Sequence, residues 1–394
     1  SMPLCTIASV LVSMLGTFMN TTGMTTMEIK KINKSKVYHL IYESRAISKQ
    51  GIAAALQMGM NTVTQNLKLL EEEGLIERKG YFESTGGRKA HAIRILPDAK
   101  IALGIEVLRK TLHMAAIDLY GNILYQESCA LPFEASDAYC EQVGRRFTAF
   151  VDKYGIEKEH ILGASIAIQG LISPDGSTVS YGRILEHTGM KLSDFSRYIP
   201  YPCRLEHDSK AAAYLETWHQ EKFRDSIVVL LNQNLGGAVI INGKVHTGLG
   251  MHSGSIEHMC IQADGPLCYC GEHGCLETYC SADSLERAAQ TDIPSFFQEL
   301  RRGNSAFTAI WEDYLDHLAF ALCNLNVILD CYIIISGYLA PYITGEDVAQ
   351  LTRRIQDGSP YRLSDDFIFL STHGQLAPPV GAALSYIDQF LQTI

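Results

Sequence analysis

The chain has 394 residues, 47% apolar and 19% charged, which allows two or three globular domains and excludes a disordered chain or a membrane bundle. Its net charge of −10 taken alone argues against nucleic acid, but residues 28–96 carry twelve Lys and Arg against seven Asp and Glu, and the remainder carries −15. A basic end on an acidic body is the pattern of a nucleic-acid reader attached to something else. Eleven Cys, three of them at 268, 270 and 275, do not form a secreted disulfide framework; they point to a reduced, cytoplasmic protein with a metal site.

Residues 4–19 are apolar and uncharged, but they lack a basic leader and fall short of the ~20 residues a membrane helix needs. Met24 and Met27 stand just ahead of the first periodic segment. Residues 1–27 therefore read as a disordered tail or as the product of a start placed too early, and no other segment suits a membrane.

From Asn33 onward Val37, Leu40 and Ile41 form one apolar helical face. Ser48 caps a second predicted helix, 49–56, whose Ala53, Ala54 and Ala55 permit close approach of a neighbour. Residues 57–60, with Gly59, form a short turn. Asn61 is the expected cap of a third helix, 62–73, with Val63, Leu67 and Leu70 as its buried stripe and Gly74 at its end. Two helices across a short turn form a helix-turn-helix, in which Asn61, Thr62, Thr64, Gln65 and Lys68 would face base edges in a major groove. Two short strands flanking Gly86, Arg88 and Lys89 then read as a wing, its arginine suited to a minor groove. Residues 28–96 are thus predicted to be a winged helix-turn-helix domain binding double-stranded DNA, at a pseudo-palindromic operator in a dimer. The alternative is a three-helix module that binds protein.

Residues 97–100 look like a linker. Beyond it come predicted strands at 101–107, 112–119 and 123–125, a helix at 138–154 and a strand at 161–168. The order recurs with strands at 226–231 and 238–242, a helix at 314–329 and a strand at 332–335. The recurrence implies two similar α/β lobes with a cleft between them: a first lobe over 101–205, a second over 206–380, and a C-terminal helix, 381–394, returning to the first. Within the second lobe, His258 with Cys268, Cys270 and Cys275 can complete a tetrahedral zinc shell, while Gly271 and Gly274 let the backbone wrap an ion. Four protein ligands leave no open position, so the zinc is expected to be structural. His273 competes as a ligand but lies inside the 270–275 loop.

Several segments give the chain a resemblance to the ROK family of repressors, open reading frames and sugar kinases: Gly254-Ser255-Ile256-Glu257-His258, the cysteine cluster running into Leu276-Glu277, residues 206–212 from Glu206 to Ala212, Leu235-Gly236-Gly237-Ala238 with Gly243-Lys244, and residues 325–330. The wing resembles that of the family's regulators for xylose and N-acetylglucosamine. The resemblance implies an actin-like ATPase fold of two RNase-H-like lobes, so the fold class expected is α/β with a winged helix-turn-helix domain in front. It also implies that Asp208 stands where the family's kinases keep the base that deprotonates a sugar hydroxyl, and that His258 and Glu277 hold the sugar. The departures are on the nucleotide side. The Asp-x-Gly-Gly-Thr loop reads Glu106-Val107-Leu108-Arg109-Lys110-Thr111, without its glycines, so backbone amides cannot approach a phosphate closely. The Gly-Thr-Gly loop reads Asn232-Gln233-Asn234, and the triple glycine reads Ser336-Gly337-Tyr338. On the sugar side His207 replaces an Asn and Ser255 a Glu, with Glu257 close by. Arg183 falls in the sugar loop, where it suits a hydroxyl or a phosphate.

The expectation is a non-enzymatic, sugar-responsive repressor: a homodimer or homotetramer that binds operator DNA and a sugar or sugar-phosphate effector through Arg183, His207, Asp208, Glu257, His258 and Glu277. The alternatives are an active sugar kinase with Asp208 as base, and a regulator controlled by a protein partner.

Overall fold

The computed structural model describes residues 25–82 and 91–394. Contacts divide the chain into two units, one running to Leu96 and including Leu391–Ile394, the other Pro97–Phe390. The expected tip of the wing, with Gly86, Arg88 and Lys89, and residues 1–24 of the expected tail lie outside the described residues.

The first unit contains helices α1 (Thr26–Ser44), α2 (Lys49–Leu56) and α3 (Met60–Glu72), then strands β1 (Ile76–Tyr81) and β2 (His91–Ile95). Helix α1 begins earlier than its apolar periodicity indicates, because Thr25 and Glu28 close a capping box. Ser48 caps α2 as expected, accepting the Gly51 N–H at 3.0 Å. The third helix departs from expectation: it starts at Met60 with Gly59 as its cap residue and no side-chain cap bond. Asn61 is therefore already helical, and Gln57, in the left-handed conformation at φ 52°, makes the turn. Val37, Ile41, Ile52, Val63, Leu67 and Leu70 form the interior with Ile93 and Ile95 of the hairpin. The hairpin is antiparallel, Ile76 opposite Ile95, and Ile47 adds a bridge to Ile93.

The second unit is built on two five-stranded sheets of the same order. Strands β3 (Ile101–Val107), β4 (Thr111–Ile117) and β5 (Ile123–Ala130) form an antiparallel meander. After α4 (Asp137–Lys153), β6 (Ile161–Ile168) adds parallel to β3. A small hairpin, β7 (Leu171–Ile172) with β8 (Val179–Tyr181), and the short helix α5 (Leu192–Ser196) precede β9 (Cys203–His207), which is parallel to β6. Helix α6 (Asp208–Thr217) leads to the repeat, in which β10 (Ser226–Leu230), β11 (Gly236–Ile241) and β12 (Lys244–His246) form the meander. Helices α7 (Glu277–Cys280), α8 (Ala282–Ala289), α9 (Ile293–Arg301) and α10 (Ser305–Leu329) follow. Strand β13 (Tyr332–Ser336), helix α11 (Gly345–Gly358) and strand β14 (Ile368–Leu370) complete the parallel half before α12 (Ala377–Thr393). The two sheets are ordered β5-β4-β3-β6-β9 and β12-β11-β10-β13-β14. The expected recurrence is thus a duplicated fold. Helix α10 starts nine residues before the expected 314, where Asn304 accepts the Ala306 N–H as its cap.

Each sheet has its own apolar interior: Tyr139, Val143, Phe147 and Phe150 of α4 cover the first, and Trp311, Leu315 and Leu318 of α10 cover the second. The other face of the first sheet meets α6 and α12 through small residues, with Ala167, Ala211 and Ala382 in mutual contact. A Cβ on Gly104 would lie 1.8 Å from the Pro379 carbonyl oxygen, and one on Gly381 would lie 1.8 Å from that of Ala211. Both obstacles are backbone, so neither can swing aside. Gly381→Ala should therefore destabilise the Pro97–Phe390 unit by about 1–3 kcal/mol, the usual cost of overpacking, read as a lower midpoint in urea denaturation; an unchanged midpoint would mean the helix is not seated this closely.

Candidate functional site: a ligand cavity beside a thiol–imidazole cluster

Strand β9 ends at His207 and helix α6 begins at Asp208, with no loop between them. This junction forms one wall of a cavity of about 470 Å³, closed by the 232–236 loop between β10 and β11, the 255–259 segment, Tyr181 and Tyr269. The volume suits a small ligand. Of the six expected effector residues, Arg183, His207, Asp208, Glu257 and His258 line it. Glu277 does not: at the start of α7 its carboxylate faces the 234–235 backbone, accepting from Asn234 Nδ2 and from the Leu235 N–H, each at 2.7 Å. It braces the loop that forms the cavity's far wall. Tyr181 and Tyr269 were not anticipated; Tyr269 sits between two of the clustered cysteines, a position the spacing alone could have flagged, whereas the β7–β8 hairpin gave no chemical signal.

Asp208 is buried. Burial and the neighbouring charge of Glu106 push its carboxyl up to about 7, against the lowering effect of the Ser209 N–H at 2.6 Å and hydroxyl at 3.1 Å, both donated to Oδ1. Burial, reinforced by Lys210, pushes His207 down to about 3, which keeps it neutral at physiological pH. Glu106 is itself buried on β3, raised by burial, and bonded at 2.9 Å to Nδ1 of His113, its cross-strand partner on β4. Burial pushes Glu257 up to about 8. Two buried atoms in the cavity wall, His207 Nδ1 and Glu257 Oε2, have no hydrogen-bond partner. Buried polar atoms are nearly always satisfied by protein or by water, so these two face the cavity for their partners.

Of the three loops that depart from the kinase pattern, two engage each other and the third closes on itself and on Ile184. Leu108 donates its N–H to the Thr111 carbonyl at 3.1 Å, closing the β3–β4 turn, and Arg109 Nη2 donates to the Ile184 carbonyl at 2.8 Å. Asn232 Oδ1 accepts the Tyr338 N–H at 2.8 Å, and Gly337, at φ 91°, passes so close that a Cβ would lie 2.4 Å from that oxygen. The 232 and 337 turns are thus tied directly together.

The ligand atoms of His258, Cys268, Cys270 and Cys275 all lie within 4.8 Å of one another. Cys268 Sγ is 3.8 Å from His258 Nδ1, and Cys270 Sγ is 3.7 Å from Cys275 Sγ. A tetrahedron with 2.3 Å metal–sulfur bonds has edges of about 3.8 Å, so this donor set fits a metal ion. Gly274, at φ 69°, passes against the Gln262 carbonyl. His273 is turned away, with Nδ1 against the Gly265 carbonyl at 2.9 Å. The His258 ring therefore serves two sites, the cluster and the cavity wall.

In the first unit, Asn61, Thr64, Gln65 and Lys68 are exposed on one side of α3, and Thr62 is half-buried. Thr64 bonds back to the Met60 carbonyl at 2.6 Å, and Lys68 pairs loosely with Glu72 at 3.6 Å. Asn66, not among the expected contacts, is buried and holds the Thr62 carbonyl at 2.8 Å.

Two lobes of identical strand order, with a carboxylate at a strand–helix junction lining a cavity, define the actin-like ATPase fold. The chain belongs to the ROK family, whose profile matches residues 102–388. It is 27% identical over 262 residues to the DNA-binding transcriptional dual regulator NagC of Escherichia coli (strain K12), spanning 66% of this chain and 64% of the length of that relative. It is 26% identical over 383 residues to the xylose repressor of Bacillus subtilis (strain 168), spanning 93% and 97%. A crystal structure of a ROK family transcriptional regulator, a homologue of the E. coli MLC protein, shares the fold with a TM-score of 0.71 at 19% identity, over 93% of this chain and 97% of that one.

Asp208 makes the pH dependence testable. Its folded-state pKa of about 7 lies above the ordinary 3.8, so the folded state binds the proton more tightly. Its contribution is fully present below about pH 4 and is lost as pH rises to about 7, by up to ~1.4 kcal/mol per pH unit. Asp208→Asn should therefore gain stability relative to the parent chain between pH 5 and pH 8, measured by denaturation at both; a pH-independent difference would show that the carboxyl titrates normally.

Proposed function

We propose that the chain is a sugar-responsive transcriptional repressor of carbohydrate uptake or catabolism genes, working in the cytoplasm as a homodimer or homotetramer. The observation that carries the reading is the pairing of a ligand cavity holding unsatisfied polar groups with nucleotide-side loops that bond to each other. A sugar or sugar phosphate would supply hydroxyls to His207, Asp208, Glu257 and His258. The same loops count against the alternative of an ATP-dependent sugar kinase with Asp208 as base: the Asn232 side chain and the Tyr338 N–H satisfy one another, which ties together two turns that a nucleotide would have to enter between.

The first unit is read as a winged helix-turn-helix domain, with α3 entering the major groove of a double-stranded, pseudo-palindromic operator. Its support is the exposed row of Asn61, Thr64, Gln65 and Lys68, the three-residue turn before α3 and the antiparallel hairpin after it. The likeness to a ROK regulator covers 93% of the chain and so includes part of this unit. Effector binding would act by favouring one arrangement of the sensor over another, through differential affinity for the two. Among the described residues, no helix is long and apolar enough to cross a membrane.

The Cys/His cluster is read as a structural zinc site held by His258, Cys268, Cys270 and Cys275. Zinc would lock the 258–275 segment and with it the His258 ring and Tyr269 in the cavity wall.

Two predictions follow from this reading. Fluorescence anisotropy with DNA from the neighbouring promoter should show binding at about 0.1 M salt that weakens steeply as salt rises, and Gln65→Ala should cost about 1–3 kcal/mol; absence of any binding would refute the repressor. Metal analysis should find about one zinc per chain, and Cys270→Ser should lose it together with thermal stability; a metal-free chain of undiminished stability would show that the thiols are only packed together.

A further inference from the structure

A fifth sulfur stands beside the four donors of the thiol–imidazole cluster. Cys260 is the one exposed cysteine among the described residues, and it lies outside the gathering of His258, Cys268, Cys270 and Cys275. Its backbone is nonetheless fixed to the cluster. Cys260 pairs with Cys275 in an isolated antiparallel bridge. The Ile261 N–H on the Gly274 carbonyl and the Leu276 N–H on the Met259 carbonyl, each at 2.9 Å, frame that pair from either side, so 260 and 275 exchange no bond themselves. In such a non-hydrogen-bonded pair the Cα atoms stand about 4.5 Å apart and the side chains share a face. Disulfides span Cα separations of about 4.4–6.8 Å, so rotation of the two side chains suffices to join these sulfurs. Cys275 is buried and Cys260 is open to solvent: one thiol is placed to meet an oxidant and the other to resolve the product.

We propose that Cys260 is a peroxide-reactive thiol whose oxidation is resolved by Cys275 as a disulfide, which withdraws one donor from the cluster. The Cys260 thiolate attacks one oxygen of hydrogen peroxide: an S–O bond forms, the O–O bond breaks, and the other oxygen leaves as hydroxide. The Cys275 thiolate then attacks the resulting sulfenic sulfur: the S–S bond forms, the S–O bond breaks, and a second hydroxide leaves. The two sulfurs together lose two electrons and the peroxide gains them, while the two thiol protons turn both hydroxides into water. His258, Cys268 and Cys270 remain as three donors where a closed tetrahedral shell needs four. The segment loosened by that loss carries His258 and Tyr269 in the wall of the ligand cavity, so the redox state of an exposed thiol reaches the site. The disulfide needs only the register of 260 against 275; its effect on the cavity rests on the reading of the cluster as a zinc site.

The test treats the full chain with excess hydrogen peroxide, alkylates it, and cleaves it after Glu and Asp without reduction. Cleavage at Glu257, Asp264, Glu272 and Glu277 places Cys260, the Cys268 and Cys270 pair, and Cys275 on three separate peptides. Mass spectrometry should find peptide 258–264 joined to peptide 273–277, and dithiothreitol should separate them again. A chromogenic chelator should register zinc released in step with that link. Cys260→Ser, at an exposed position outside the cluster, should leave the metal content and unfolding midpoint of the untreated chain unchanged and slow peroxide-driven zinc release about tenfold or more. Peptide 258–264 recovered unlinked, with Cys268 or Cys270 joined to Cys275 instead, overturns the proposal, as does zinc release at the parent rate in Cys260→Ser. An untreated chain without zinc removes the effect on the cluster, and the peptide link alone then decides whether the disulfide forms.

Discussion

The site depends on one junction. Strand β9 gives way to helix α6 without an intervening residue, so Asp208 is held by both elements and has no loop in which to relax. The helix can sit there because its neighbours are small. Ala211 faces Gly381 of α12 and Ala167 of β6, and Gly104 lies against the Pro379 carbonyl at a distance no side chain allows. Backbone packed on backbone is stiff, since it has no rotamers to yield. The carboxyl is therefore fixed in a buried position beside Glu106, and its elevated pKa is the electrostatic expression of that packing.

Around this fixed wall the rest of the cavity is made from segments that need their own anchors. Glu277 braces the loop of Asn234 and Leu235, Asn232 joins the turn of Tyr338, and the thiol cluster gathers the chain from His258 to Cys275. Each of these contacts sets where a wall stands. The polar atoms left without a protein partner on this wall are His207 Nδ1 and Glu257 Oε2.

Much of this was legible from residue patterns. The central strands showed as apolar runs because both their faces are buried, and their recurrence exposed the duplication. The cluster showed because metal geometry constrains ligand spacing tightly. Helix starts were less legible where caps compete with periodicity: Thr25 and Glu28 form a capping box ahead of any apolar residue, Asn304 starts α10 well before its buried stripe, and Gly59 displaces Asn61 as the cap of α3 without a side-chain bond. Glu277 was placed by its distance from a cysteine, but a residue on the first turn of a short helix points where that helix is aimed, and only the tertiary fold sets that. The pairing of the 232 and 337 turns, more than a hundred residues apart, has no local signature at all.

The double duty of His258 has a chemical consequence. An imidazole that offers Nδ1 to the thiol cluster has only Nε2 left for the cavity, and a metal-bound ring keeps its proton on that second nitrogen. With a metal on Nδ1 the tautomer would be set from outside the cavity, and this position would become a one-way donor. A ligand would have to meet it with a lone pair; an ammonium at the same place would be turned away. Selectivity against a cationic nitrogen would thus be written into the ring by chemistry on its far side.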